Sequence, residues 1–598
     1  MPLPGACLNI MEARHKQKGY GSISNPERFC NQDFKNLKQY CLIKGVRYLD
    51  DMFPPDAKSI GQGILKPSDL AHVKWLRPAQ IAPDAEFVVD GVSRFDFGQG
   101  VLGNCWFLAS IGALTFQNHI FEQVVPLDQK IKENYCGIFH FRFWRFGRWV
   151  DVVIDDKLPT INGRLIFVHS KDPNEFWPAL LEKAYAKVCG SYTDMTSGTP
   201  SEAMMDFTGG VHMCVQLSDA SSDVWGLICR AGKSNTLMGC GTPQGETSAN
   251  TVLPNGLVQG HAYTVTGVKE LISQGKLVKL IRLWNPWGKG EWVGDWSDRN
   301  ENLPDFINRM AFEDFCKFYT DLDICGLKPD FIDGKSSAQW KTSVYEGRWV
   351  AGTTAGGCIN NRDTFWTNPQ YRIKVVGENS ETNGEKNILV SLMQKPDKRN
   401  RRLVQNLHIG FSVYLYKTQS GKFPAMFFNT HLPVARSDKY MNAREVIEFL
   451  MLKPGEYLIV PSTFKPNETA SFILTIHSRE ETCFYIALCY EEVDAEQLQR
   501  LLNENILKGL AFKKSVKLNL NLLALVCMYI YLSKLLLKSD CVCSSGMKVS
   551  DDMLSLMALR YGASSGHMAL ECFISLMIRL DCMKTENKSH WMYVSMYT

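Results

Sequence analysis

Apolar residues crowd together without alternation in Cys105-Trp-Phe-Leu-Ala-Ser-Ile-Gly-Ala-Leu114, a run rich in helix formers that predicts a helix opening just after Asn104. Glu175-Phe-Trp-Pro-Ala-Leu-Leu-Glu-Lys-Ala-Tyr-Ala-Lys187 predicts a second helix, with Pro178 tolerable only near its first turn. Past residue 200 the texture changes. Ala262-Tyr-Thr-Val-Thr-Gly267 and Val278-Lys-Leu-Ile-Arg-Leu-Trp284 mix β-branched, aromatic and polar residues in strand-like runs, with Gly and Pro between them. A helical half followed by a β-rich half suggests two lobes with a cleft between. From 335 to 490 short strands recur between turns, as in Gln370-Tyr-Arg-Ile-Lys-Val-Val376, Asn387-Ile-Leu-Val-Ser-Leu392 and Ser471-Phe-Ile-Leu-Thr-Ile-His477, and predict an all-β sandwich. Beyond 491 the pattern turns helical again, opening with Val493 to Leu502, where Asp494 is an N-cap candidate and Gln497 completes a loose capping box. The first ninety residues, punctuated by Pro and charge, predict an approach segment rather than a core of their own.

Composition narrows the class. At 598 residues the chain is too long for one core. Its 45% hydrophobic and 21% charged content is that of a soluble globular protein. A formal charge of +4 over this length excludes the basic footprint of a nucleic-acid or membrane-surface binder. The apolar run Leu522 to Leu532 falls short of the roughly 20 residues that a membrane span needs and predicts a buried helix. The N-terminus lacks the pattern of a signal peptide. The 19 cysteines are scattered, odd in number and without a disulfide framework, which points to a reducing, cytoplasmic setting. There the glycosylation triplet Asn467-Glu468-Thr469 stays idle.

The candidate chemistry starts at Gln99-Gly-Val-Leu-Gly-Asn-Cys105. A cysteine that opens a helix after a glycine turn sits at the positive end of the helix dipole, which favours thiolate. Gln259-Gly-His261-Ala-Tyr places a histidine at the start of a strand, and Leu283-Trp-Asn285-Pro-Trp287-Gly places an asparagine at the end of one. Taken singly, a cysteine among 19 or a histidine among 12 is more often structural, and Asn before Pro is most often turn chemistry. The ordered set changes those odds: Cys, His about 150 residues on, then Asn is the order of papain-like proteases. The roles would be nucleophile, general base and acid, and orienting group. Gln99 is placed to donate its side-chain amide to the oxyanion beside the Cys105 backbone N–H.

These three blocks, Gln-Gly-Val-Leu-Gly-Asn-Cys-Trp-Phe-Leu, Gly-His-Ala-Tyr-Thr-Val-Thr-Gly and Asn-Pro-Trp-Gly, resemble the active-site blocks of calpains. Glu175 to Lys187, Asp206-Phe-Thr-Gly-Gly210 and Trp349 to Cys358 with Asn368-Pro-Gln370 extend the resemblance across residues 20 to 510. It implies an α+β multidomain chain with a two-lobed papain-like protease core, a C2-like β-sandwich and a helical EF-hand-like C-terminal region. The expected domains are an N-terminal segment 1–40, a cysteine lobe 41–200, a His/Asn lobe 201–330, the sandwich 331–490 and a divergent, incomplete penta-EF-hand-like region 491–598. The implied activity is calcium-regulated limited cleavage of protein substrates in the cytoplasm. The family's pairing with a small regulatory subunit, or as a homodimer, would run through the C-terminal region. Trp287 resembles the family's wedge tryptophan. By the same carry-over, Ca2+ would be held in the first lobe by Val89 and Gly91 backbone oxygens with Asp96 and Glu175, and in the second by Glu291 and Asp298.

Departures from the family pattern are Asn104 where Asp is usual, Trp284 where Arg is usual, and the stretch Asp298 to Phe312, which lacks an acidic insert carrying further calcium ligands. In the tail no segment fits an EF-hand loop; Tyr561-Gly-Ala-Ser-Ser-Gly566 lacks the carboxylates. Two rival readings remain. A transglutaminase also sets Gly-x-Cys-Trp on a helix and needs calcium, but completes its triad with Asp, so Asn285 and Gln99 argue against it. An inert calpain-like scaffold is favoured by the missing insert and the tail.

Overall fold

The computed structural model describes residues 19–490, apart from 94–95, 220–222, 246–250, 289–291, 298–308, 334–339, 377–385, 397–399, 417–421, 480–482 and 485–488. The expectations for 491–598, for the run Leu522 to Leu532, and for Glu291 and Asp298 therefore lie outside the described residues. Pro26–Glu491 form one compact unit. Among the described residues no helix is long and apolar enough to cross a membrane.

Helix α1 (Cys105–Leu114) opens where the sequence predicts, and every residue from Trp106 to Leu114 is buried. An all-round apolar helix has no solvent face, so it must sit inside a core. Around it lie the antiparallel pair β1 (Ile138–Arg145) and β2 (Arg148–Asp155), helix α2 (Trp177–Cys189) and helix α3 (Pro200–Thr208). The β1/β2 pair went unmarked in the sequence, because Phe139, Phe141 and Phe143 alternate with polar residues inside a stretch read as helical. Helix α2 is buried along its whole length, charges included. Lys183 meets Asp155 at 2.7 Å, and Lys187 meets Asp50 at 2.6 Å and the Val153 carbonyl at 2.6 Å, so neither ammonium is left uncompensated. Phe53, Ile60, Ala82 and Phe87 from the first ninety residues belong to this same core, which explains why that segment has none of its own.

The second region is a six-stranded sheet built from β3 (Val211–Gln216), β4 (Leu237–Gly241), β5 (Ala262–Ser273), β6 (Lys276–Trp284), β7 (Arg309–Ala311) and β8 (Asp321–Gly326), in the order β7-β6-β5-β4-β8-β3. Helix α4 (Val224–Lys233) buries Val224, Trp225, Ile228 and Ala231. Both predicted strand runs lie inside β5 and β6, which pair antiparallel with a bulge between Val265 and Gly267.

The third region is a sandwich. One sheet has the order β9 (Trp340–Trp349), β15 (Ala470–Arg479), β11 (Ile388–Lys395), β13 (Glu445–Leu450). The other is centred on β12 (His408–Tyr416), β14 (Gly455–Thr463) and β10 (Gln370–Val376), with short edge strands on either side. Trp349, Val390 and Leu474 of the first sheet share a core with Ile373, Phe411 and Ile459 of the second, as the turn-bounded short strands predicted for a sandwich.

The first two regions meet along α1 and β5. Thr264 donates its hydroxyl to the Ala109 carbonyl at 2.6 Å, and Ala262, Trp284 and Cys325 join the first core. Trp284, unusual for its position, lies edge-on to Phe97 with ring centroids 5.3 Å apart. At Gly112 a Cβ would stand 2.6 Å from Thr264 Oγ1 and 2.9 Å from the Trp284 ring. Gly112→Ala should therefore lower stability by about 1–3 kcal/mol, the cost of overpacking. Calorimetry showing an unchanged unfolding temperature would contradict the close helix–strand approach.

Candidate active site

Cys105 is the first residue of α1, and no side chain caps that helix: Asn104 offers only its backbone carbonyl, to Phe107 and Leu108 N–H at 3.0 and 3.2 Å. The orphan N–H groups of a helix start are thus left for the thiol. Cys105 Sγ takes hydrogen bonds from its own N–H, from that of Trp106, and from that of Ala262 across the lobe boundary. Burial raises the thiol pKa above its ordinary range, and these three N–H groups pull against that.

Ala262 follows His261. Gly260, at φ +60, turns the chain into β5 with a backbone conformation that side chains rarely adopt, and His261 emerges 2% exposed. Its Nε2 lies 2.7 Å from Asn285 Oδ1 at the end of β6. The Trp287 backbone N–H also points at that atom, at 3.0 Å. A backbone N–H is only a donor, so the atom facing it must be the amide oxygen, and His261 must donate from Nε2. The neutral ring then keeps its lone pair on Nδ1, which is buried with no hydrogen-bond partner among the described residues. Burial lowers the His261 pKa to about 4, with the Asn285 bond opposing. Burial thus favours the neutral form of both thiol and imidazole, against the thiolate that the helix dipole alone suggested. The Trp287 ring flanks the imidazole, with centroids 4.9 Å apart.

Gln99 lies in the loop that leads into α1. Its Nε2 donates to the Leu102 carbonyl at 2.6 Å, and its second amide hydrogen remains for a ligand. Asn104 turns its side chain inward, donating to Glu182 Oε1 at 2.7 Å, and Val168 N–H donates to Oε2 at 3.0 Å. Burial pushes Glu182 up to about 8, against these two bonds. Sequence reasoning assigned Glu182 no role. It sits inside a helix that the sequence does reveal, but its burial beside the cysteine loop depends on how that helix packs.

Of the residues suggested for the first-lobe calcium site, Val89, Asp96 and Glu175 come together. Glu175 Oε1 accepts from Val89 N–H at 2.9 Å and Oε2 from the Ser170 hydroxyl at 2.6 Å; Ser93 N–H donates to Asp96 Oδ2. Asp90 and Gly91 both have positive φ, which turns the chain sharply just after Val89. Burial raises Glu175 to about 7, and the Asp96 charge adds to this; burial likewise raises Asp96. Two crowded carboxylates fit a hard cation with oxygen ligands. Among the described residues no group of three or more His, Cys, Asp or Glu could hold a metal ion, so the donor set here needs backbone oxygens.

Comparison with known proteins gives two family matches. Residues 48–326 match the family described as "Calpain family cysteine protease", and residues 345–477 match "Calpain large subunit, domain III". The calpain-1 catalytic subunit of Rattus norvegicus is 41% identical over 505 residues, covering 80% of this chain and 71% of that protein. The calpain-2 catalytic subunit of Bos taurus is 40% identical over 513 residues, covering 81% and 73%. A solved structure of the cysteine protease and lectin-like domains of Cwp84 from Clostridium difficile covers 78% of this chain and 88% of that one, at 12% identity. Its TM-score of 0.18 is too low to bear on the fold.

Glu182 makes stability depend on pH. Below about pH 4.5 the carboxyl is protonated whether the chain is folded or not; above it the unfolded chain releases a proton that the folded one keeps until about 8. Its contribution is thus complete at low pH and is lost as pH rises through that window. Denaturant titrations at pH 5 and pH 8 should show Glu182→Gln less sensitive to the change than the parent. Parallel pH dependences in the two proteins would contradict the buried, protonated carboxyl.

Proposed function

We propose, on the premise that the chain belongs to the calpain family of cysteine proteases, that it is a calcium-regulated cysteine endopeptidase making limited cuts in protein substrates, with Cys105, His261, Asn285 and Gln99 as its working groups. The observation that carries this reading is the pair of donors on Asn285 Oδ1, which leaves His261 Nδ1 bare, while the N–H of the next residue, Ala262, faces Cys105 Sγ. In the reaction Cys105 Sγ attacks the carbonyl carbon of the scissile peptide bond as its proton passes to His261 Nδ1. The carbonyl oxygen becomes an oxyanion facing the Cys105 N–H and Gln99 Nε2. His261 then protonates the leaving amine as the C–N bond breaks, later takes a proton from the water that attacks the thioester, and returns it to Cys105 Sγ as the C–S bond breaks. Asn285 holds the imidazole in the tautomer these transfers need, and Trp287 shields it on one side.

Val89, Gly91, Asp96 and Glu175 would hold a calcium ion, whose charge offsets the two crowded carboxylates. Glu291 and Asp298 are proposed for the second lobe on family resemblance alone. The domain limits 41–200, 201–330 and 331–490 are kept as proposals, the first two as lobes of a papain-like core and the third as a C2-like sandwich. A cytoplasmic location, and a small regulatory subunit or homodimer contact through 491–598, stand on the same footing.

Casein cleavage with and without calcium tests the activity. Cleavage that needs calcium and disappears in Cys105→Ser is the expected result; cleavage surviving that substitution would overturn the mechanism, and amine incorporation without cleavage would favour a transglutaminase. Asn285→Ala should cut kcat on the order of 10²-fold by freeing the imidazole. An unchanged kcat in that variant would remove Asn285 from the mechanism.

A further inference from the structure

Helix α3 lies between the sandwich and α1. Toward α1 it presents Phe207, whose ring lies 5.8 Å from that of Phe107, and the Pro200 carbonyl, which accepts from Ser110 at 3.0 Å. Toward the sandwich it presents Glu202 and Asp206, one turn apart. Arg444 donates from Nη2 to Asp206 Oδ1 at 2.7 Å, and the same carboxylate accepts from Arg145 and from the Tyr185 hydroxyl. Glu202 takes both arms of Arg401, Nε to Oε1 at 2.8 Å and Nη2 to Oε2 at 2.7 Å.

Arg401 does more than tie two regions together. Its Nη1 donates to the Ser197 carbonyl at 2.7 Å, and its guanidinium carbon stands 4.8 Å from the ring centroid of Trp106. Trp106 is 1% exposed, follows Cys105 directly, and donates its indole N–H to the Met195 carbonyl at 2.9 Å. At Gly198 a Cβ would meet the Trp106 ring at 2.6 Å and Arg401 Nη2 at 2.7 Å, so loop, indole and guanidinium are in close contact. The first turn of α1 has no side-chain cap. Its orientation rests on how Trp106 is packed, and a planar guanidinium fixed by a bidentate carboxylate is a rigid wall for an indole.

We propose that Arg401 of the sandwich is a positioning residue for Cys105, acting through Trp106 to fix the first turn of α1 and with it the N–H groups that face the thiol. The proposal rests on Cys105 being the nucleophile. It differs from simple docking of the sandwich, because Arg444 also ties the sandwich to α3 yet stacks over the Phe146 ring, 4.5 Å from its centroid, rather than on Trp106.

The test uses the full chain and site-resolved labelling of Cys105 by iodoacetamide, quantified on its peptide because the chain holds 19 cysteines. Arg401→Ala should slow Cys105 labelling and lower kcat by about tenfold, with KM within about twofold. Arg401→Lys, which keeps the charge but not the planar stack, should fall between variant and parent and serves alone if the alanine variant does not fold. Arg444→Ala should lower the unfolding temperature while leaving the labelling rate within about twofold of the parent. Equal labelling of parent and both Arg401 variants, or an equal loss in Arg444→Ala, overturns the proposal. A parent whose Cys105 is labelled no faster than in His261→Ala sinks the nucleophile reading, and this proposal with it.

Discussion

One oxygen atom organises the centre of this protein. Asn285 Oδ1 accepts from an obligatory backbone donor and from His261, which fixes both the amide orientation and the imidazole tautomer. The arrangement depends on strand register. Thr264 pairs with Trp284 across β5 and β6, which brings the start of one strand beside the end of the other and so His261 beside Asn285. The same two residues flank Gly112 of α1. A single rung of the ladder therefore holds His261 beside Asn285 and docks the helix that carries Cys105. A slip of one residue would reverse the faces of both strands and lose both functions.

Burial sets the charge state of what that rung assembles. In a dry site the neutral forms of Cys105 and His261 are favoured, and the proposed mechanism accordingly starts from proton transfer to Nδ1 rather than from a standing ion pair. The carboxyl of Glu182, close behind the cysteine loop, is also held neutral over much of the physiological range. An aspartate at 104, usual in the resembling family, would face Glu182 with a second carboxylate, and the two would have to share a proton. Asn104 supplies a donor instead, so the departure fits the pocket it occupies.

Much of this was legible in the residues. The apolar block after Asn104 marked α1, the β-branched runs marked β5 and β6, and short strands at turn-bounded intervals marked the sandwich, because burial leaves its trace in local composition. The order Cys, His, Asn singled out residues that the fold brings together. The β1/β2 pair was hidden, since its alternation sits between two strong helices. The preference for the neutral forms was hidden as well, because a helix dipole can be read from sequence whereas desolvation depends on what packs around the thiol. Glu182 and Arg401 left no signal as partners of the cysteine loop, since each gains its meaning only from contacts with residues distant in the chain.

Asn285 imposes one tautomer on His261, and the proposed chemistry depends on it. Nitrogen-15 NMR of histidine-labelled protein, with the His261 signals assigned by their loss in a His261→Ala variant, reads it directly at neutral pH. The expected spectrum has a protonated, pyrrole-like Nε2 and a bare, pyridine-like Nδ1. Protonation of both nitrogens, or of Nδ1 alone, would contradict it.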